Sequence, residues 1–120
     1  NALEEIDIIK KIISDYGSSA EIAVLYRNNF QGEFIEKNVK CNDNVKFMTM
    51  HSSKGLEFDI VIIAGVNDKI IPDKGSDIEE ERRLFYVALT RAKNNLHIIY
   101  QSSSTGRLPR FIAESGYKGI

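Results

Sequence analysis

The segment "DIVIIAG", residues 59–65, limits the architecture more than any other stretch, because it is apolar almost without interruption. A strand with one face in water alternates polar and apolar residues. A strand without alternation is covered on both faces, as in a parallel sheet held between layers of helix. The rest of the chain supplies such layers. "ALEEIDIIKKIISDYG" (2–17) sets Ile6, Ile9, Ile13 and Tyr16 at helical spacing, with acids early, lysines later and Gly17 as a stop. "EIAVLYR" (21–27) reads as a short buried strand, and "QGEFIEKN" (31–38) as a short helix carrying an unfavourable Gly32. "VKFMTMH" (45–51) alternates and is β-branched at Val45 and Thr49, which predicts another strand. "VNDKIIPDKGSD" (66–77) has turn chemistry at Pro72 and Gly75.

"IEEERRLFYVALTRAK" (78–93) is the strongest helix signal, with Glu79, Glu80 and Glu81 in its first turn and Arg91 and Lys93 in its last. Leu84, Val87, Ala88 and Arg91 share one face, and Phe85, Leu89 and Ala92 a neighbouring one, so the spacing predicts packing on more than one side. "NLHIIY" (95–100) predicts a last strand, "QSSSTGR" a loop, and "LPRFIAES" (108–115) a final helix with Pro109 near its first turn. Helices alternating with buried strands predict an α/β layer structure with a mostly parallel sheet.

At 120 residues the chain suits one domain, 1–120, with a single core. Its formal net charge of -1 supplies no electrostatic footprint for nucleic acid. It does not exclude one either, since phosphates are also held by a few placed side chains and backbone N–H groups. Cys41 is the single cysteine, which excludes an internal disulfide and fits a reducing compartment. No apolar run reaches the roughly 18 residues of a membrane span, and no signal-peptide pattern opens the chain, so a cytoplasmic location without membrane contact is expected. The first residue is Asn1, not methionine, which reads as a fragment of something longer.

In open parallel sheets ligands gather beyond the carboxyl ends of the strands. Two polar clusters are expected there: "RNN" (27–29) and "TMHSSKGLEF" (49–58). A third, "TRAK" (90–93), sits where a helix feeds the last strand. Taken singly these residues have ordinary readings. His51 fits a surface histidine, Lys54 a solvated lysine, and Gly55 a turn position needing positive φ. Glu57 is less ordinary, because Leu56 and Phe58 on either side should orient its carboxylate. Arg91 cannot deprotonate, so its guanidinium must find a carboxylate, a carbonyl or a phosphate. A structural salt bridge is the plain alternative. Other signatures are absent: no G-x-x-x-x-G-K-[ST] phosphate loop, no G-x-S-x-G elbow, and no zinc pattern among two distant histidines and one cysteine. Asp68 lies too far past the apolar run to read as a metal-binding acid at a strand end.

Assembled in order, the clusters resemble the C-terminal RecA-like lobe of superfamily 1 helicases of the UvrD/Rep/PcrA type. "IAVLYRNN" is similar to motif IVa (about 21–29). "VKFMTMHSSKGLEFDIVIIAGVNDKIIP" is similar to motif V and its continuation (about 45–65 and beyond), and "EEERRLFYVALTRAKNNLHII" to motif VI (about 79–99). "LPRFIAES" also resembles the segment after motif VI. The resemblance implies an α/β, RecA-like sheet flanked by helices, a second motor lobe without its own phosphate loop. It implies ATP with Mg2+ as cofactor, bound mainly by an N-terminal RecA-like lobe of the same parent chain. Arg91 would be the arginine finger that reaches the γ-phosphate. Glu57 would accept from the ribose, with Lys54 and Gly55 near the nucleotide. Thr49 and His51 would touch the single-stranded DNA backbone, with Asn29 and Arg27 on the same track. By this resemblance the lobe couples ATP hydrolysis to strand translocation in a DNA helicase, and is inactive alone.

Two departures accompany the resemblance. The family's preceding motif, with its own arginine near the γ-phosphate, has no counterpart here, and Arg27 does not replace it. The large accessory subdomain that UvrD-type chains insert between motifs IVa and V is replaced by "FQGEFIEKNVKCNDN". Duplex unwinding and polarity therefore do not follow. A helicase-like lobe that remodels RNA polymerase, or serves as a protein-interaction module, is the alternative.

Overall fold

A computed structural model describes residues 2–39, 43–67, 77–101 and 109–115. Its elements run α1 (Ala2–Tyr16), β1 (Ile22–Tyr26), α2 (Asn29–Asn38), β2 (Val45–Thr49), a single 3-10 turn (His51–Ser53), β3 (Phe58–Val66), α3 (Ile78–Leu89), β4 (Ala92–Tyr100) and α4 (Arg110–Ser115). The strands form one all-parallel sheet in the order β2-β1-β3-β4. The two apolar runs of the sequence, β1 and β3, take its centre, and Ile22–Tyr26 and Ile60–Val66 are buried. Cys41, Asp68, Pro72 and Gly75 lie outside the described residues.

Alternation along the strands sorts the core into two halves. Ile22, Val24, Ile60, Ile62 and Ala64 meet Ile6 and Ile9 of α1 and Ile35 of α2 on one face. Ala23, Leu25, Val61 and Ile63 meet Phe85 and Ala88 of α3 and Phe111 and Ile112 of α4 on the other. The connection through α2 moves outward from β1 to β2, and the next one returns across β1 to β3. Right-handed crossovers put these opposite movements on opposite faces of the sheet, so the short turn after β2 lies on the α3 side.

Strand β2 ends at Thr49, two residues short of the expected His51, and α4 starts at Arg110; two other boundaries shift for identifiable reasons. Helix α2 starts two residues early, at Asn29, because Asn28 caps it. The Asn28 side chain accepts from the Gln31 backbone N–H at 2.9 Å, and the Gln31 side chain accepts from the Asn28 N–H at 3.3 Å, a reciprocal capping box. Gly32 inside this helix is explained by contact: a Cβ there would stand 2.2 Å from the ring of Tyr26, itself buried. Gly32→Ala should therefore destabilise the fold by about 1–3 kcal/mol, the usual cost of overpacking. Urea denaturation tests this, and unchanged or raised stability, as helix propensity alone would give, refutes the contact argument.

Helix α3 stops at Leu89, before the "TRAK" expected in its last turn. Thr90 closes it, donating from its N–H (3.0 Å) and its Oγ1 (2.7 Å) to the Val87 carbonyl. Ala92 already pairs with Phe58, so β4 begins three residues earlier than its apolar run suggested. The ladder with β3 outcompetes continued helix, and Arg91 becomes the link between helix cap and strand. On the far side of α3, Arg82 donates to both Glu114 oxygens of α4 at 2.7 and 3.1 Å and lies 5.7 Å from the Phe111 ring centroid. That pairing holds the Glu114 carboxyl down at about 2.

Candidate functional site

The expected site residues do not converge on one sheet edge. Arg27, Asn29, Thr49 and His51 stand at the carboxyl edge, where Tyr26 pairs with Thr49 and the Met50 N–H donates to the Tyr26 carbonyl at 2.7 Å. Glu57 and Arg91 stand at the amino edge, where the Phe58 N–H donates to the Arg91 carbonyl at 2.9 Å. Leu25 pairs with Ile63, so Thr49 stands level with Ala64, six residues along β3 from Phe58. At the rise of a strand the two edges are about 20 Å apart. The expectation that the whole stretch from 49 to 58 sits at a carboxyl end is thus corrected. Eight residues, Met50 to Glu57, cross the full height of the sheet.

The crossover is short because it is tightly folded. Thr49 Oγ1 donates to Ser52 Oγ at 2.9 Å and accepts from the Ser52 N–H at 3.1 Å, which starts the 3-10 turn. Ser53 is fully buried, and its Oγ donates to the Met50 carbonyl at 2.6 Å. Gly55 follows with φ +84 and open space around a Cβ, so backbone conformation, not crowding, explains the glycine there. His51, Lys54 and Glu57 are exposed, and their side chains make no hydrogen bond among the described residues.

At the carboxyl edge Asn29 is exposed on the first turn of α2, whereas Arg27 is occupied. Its Nε and Nη2 donate to the two oxygens of Glu81 at 2.9 and 2.8 Å, and Glu81 is only 4% exposed. Gln31 knits this edge together, accepting from the Arg27 N–H at 2.9 Å and donating to the Gly65 carbonyl at 3.1 Å. Glu5 of α1 accepts from the Gly65 N–H at 2.9 Å. Burial raises its carboxyl above the ordinary range, against the lowering effect of that bond.

At the amino edge the Arg91 guanidinium is braced by two carbonyls and a hydroxyl. Nε donates to Val87 O at 3.2 Å, Nη1 to Leu56 O at 3.0 Å and Nη2 to Thr90 Oγ1 at 3.1 Å. These bonds use three of its five N–H groups, so the fork is oriented and retains donors for an anion. The Leu56 bond also ties Arg91 to the residue beside Glu57. A cationic fork and an exposed carboxylate thus lie at the same edge of the sheet. Among the described residues no group of three His, Cys, Asp or Glu side chains could hold a metal ion.

Asn28, Gln31, Ser53 and Glu81 shape these edges, although the sequence assigns none of them an individual site role. The N-x-x-Q spacing of the first two is a legible capping signal. Nothing local distinguishes Glu81 from Glu79 and Glu80, or Ser53 from Ser52. Among the described residues no helix is long and apolar enough to cross a membrane.

Residues 7–103 match the family of UvrD-like helicase C-terminal domains. Over 104 residues, 78% of the chain, it is 38% identical to the ATP-dependent DNA helicase Rep of Buchnera aphidicola (subsp. Baizongia pistaciae), covering 16% of that protein. Over 113 residues, 84% of the chain, it is 34% identical to the ATP-dependent DNA helicase PcrA of Staphylococcus aureus, covering 15% of it. The chain therefore spans about a sixth of the length of these relatives. Among solved structures it is similar to the C-terminal domain of a possible DNA helicase from Lactobacillus plantarum WCFS1. The TM-score is 0.65 at 18% identity, covering 91% of this chain and 71% of that one. With an all-parallel α/β sheet, motif-bearing segments at its two edges and a family match over most of its length, the chain belongs to the UvrD-like helicase C-terminal domains.

Proposed function

We propose that this chain is the second motor lobe of an ATP-dependent DNA helicase or translocase. In this reading it supplies an arginine finger at one sheet edge and part of a single-strand track at the other. The observation that carries the reading is the braced Arg91 fork beside Leu56 and Glu57, joined by one eight-residue crossover to Thr49 and His51 at the opposite edge. The similar Rep and PcrA proteins are ATP-dependent DNA helicases, which supports the same assignment for the parent of this chain.

ATP with Mg2+ then lies at the amino edge, in a cleft whose other wall is an N-terminal lobe carrying the phosphate loop and the metal-binding acids. Glu57 accepts from a ribose hydroxyl, with Lys54 and Gly55 bordering the nucleotide. Arg91 turns its remaining N–H groups to the γ-phosphate, where a fixed cation stabilises the charge that develops during transfer. Thr49 with Ser52, His51 and Asn29 hold the backbone of a single strand at the carboxyl edge, the usual mode of gripping single strands without reading sequence. Because the 50–57 crossover touches both sites, a change in grip at either end moves the other. The chain alone lacks a phosphate loop and hydrolyses no ATP in this reading.

In the full-length protein, Thr49→Val and His51→Ala should weaken single-strand binding about tenfold, the scale of one lost charge-assisted or backbone contact, or uncouple it from ATP turnover. Fluorescence anisotropy with a labelled oligonucleotide and steady-state ATPase assays measure both. Normal affinity and normal DNA-stimulated turnover in both variants exclude the placement of the strand at this edge.

A further inference from the structure

The Arg27–Glu81 pair lies at the carboxyl edge, and α3 runs from it to the amino edge. Arg27 directly precedes the Asn28 cap, and its backbone N–H is bonded to Gln31, so its position follows the first turn of α2. Its guanidinium reaches across the carboxyl edge and makes a two-point contact with Glu81. The side chains are 20% and 5% exposed, so water does not readily replace either partner. Glu81 lies in the first turn of α3, and that helix runs back along the sheet to Thr90 and Arg91 at the amino edge. Twelve residues of helix form a stiff rod of about 18 Å. Glu81, Phe85 and Ala88 are its buried line, which makes Glu81 the anchor of one end.

A buried ion pair is weak ground for stability, since apolar residues of similar volume serve as well or better. What a forked, desolvated pair offers is fixed geometry: two parallel bonds transmit both displacement and rotation, which a single bond does not. We propose that Arg27 and Glu81 are positioning residues, a strut that passes strand binding at the α2 cap into α3 and so to Arg91. This rests on the functional reading above and reassigns Arg27 within it: its guanidinium serves Glu81 and not the strand.

The test uses the full-length protein and three readouts: single-strand affinity, ATP turnover without DNA, and turnover at saturating DNA. Glu81→Gln, which keeps the shape but removes the charge, should reduce DNA stimulation about 5- to 150-fold, the range of ordinary allosteric couplings. Affinity for the strand and DNA-free turnover should stay within about twofold, inside the smallest of those couplings. Arg27→Lys, which retains the charge but not the fork, should give a smaller loss of stimulation and serves if Glu81→Gln does not fold. Either variant at full stimulation overturns the strut. So does Arg27→Lys with weakened affinity and intact stimulation at saturation, which returns Arg27 to the strand. A wild-type protein whose ATP turnover ignores DNA overturns the functional reading itself, a result distinct from the other two.

Discussion

In the full-length protein, Arg91→Ala should lower ATP turnover by about 10³–10⁵-fold, the usual contribution of an arginine finger, while nucleotide affinity changes little. The split follows from where the residue sits. Most ground-state contacts to a nucleotide are expected from the opposing lobe, whereas in the proposed function Arg91 approaches the phosphate that is transferred. Its bonds to Val87, Leu56 and Thr90 orient the planar fork before any nucleotide arrives. That preorganisation favours the transition state over the ground state. Arg91→Lys should be nearly as damaging, because an ammonium on a flexible stem cannot keep three separated acceptors and still present donors outward. Steady-state turnover together with equilibrium binding of a fluorescent ATP analogue decides the matter. Unchanged turnover removes the finger assignment, and equal losses in affinity and turnover make Arg91 a simple binding residue.

The second large effect concerns stability. Phe85→Ala should cost about 3–5 kcal/mol, out of the roughly 5–15 kcal/mol that holds a typical domain together. Phe85 is fully buried at the middle of α3, with the Phe111 ring 5.8 Å away and Tyr86 at 6.2 Å between ring centroids. Truncation there leaves a cavity bordered by the sheet, α3 and α4, and rigid strands collapse poorly into such a space. Phe111→Ala empties the same region, so the double variant should cost less than the two single costs added together. Chemical denaturation of the purified protein measures all three. A loss below about 1 kcal/mol for Phe85→Ala, the scale of a surface change, shows that α3 is not docked through this side chain. Docking matters for function as well as stability, since the end of α3 sets the backbone from which Arg91 reaches.

Much of the architecture was legible in advance because it rests on periodicity. The uninterrupted β3 run announced burial on both faces, and the 3.6-residue spacing of Ile6, Ile9, Ile13 and Tyr16 announced the inward face of α1. The ends of elements were less legible. The start of α2 depended on Asn28 finding Gln31, a pattern present in the sequence but easily passed over. The end of α3 depended on Thr90 and on competition from a distant strand, which no window of local sequence contains. For the same reason helical spacing includes Arg91, which is the link into β4. Among the site residues, the motif segments identified themselves by composition, but their grouping did not. Residues 49 to 58 are contiguous in sequence and looked like one cluster, yet an eight-residue crossover separates their ends by the height of the sheet.

Sequence alone determined the layers, the parallel sense of the sheet and the identity of the motif residues, because hydrophobic period and residue chemistry are local properties. Tertiary structure decided which residues share an edge. Strand order and crossover hand are set by long-range pairing, and they put Thr49 and His51 at one end of the sheet and Glu57 and Arg91 at the other. It also decided the partner of Arg27. Three consecutive glutamates are equivalent in sequence, but once α3 packs on the sheet only Glu81 faces inward, where an unpaired carboxylate is costly and the guanidinium of Arg27, just past β1, is within reach.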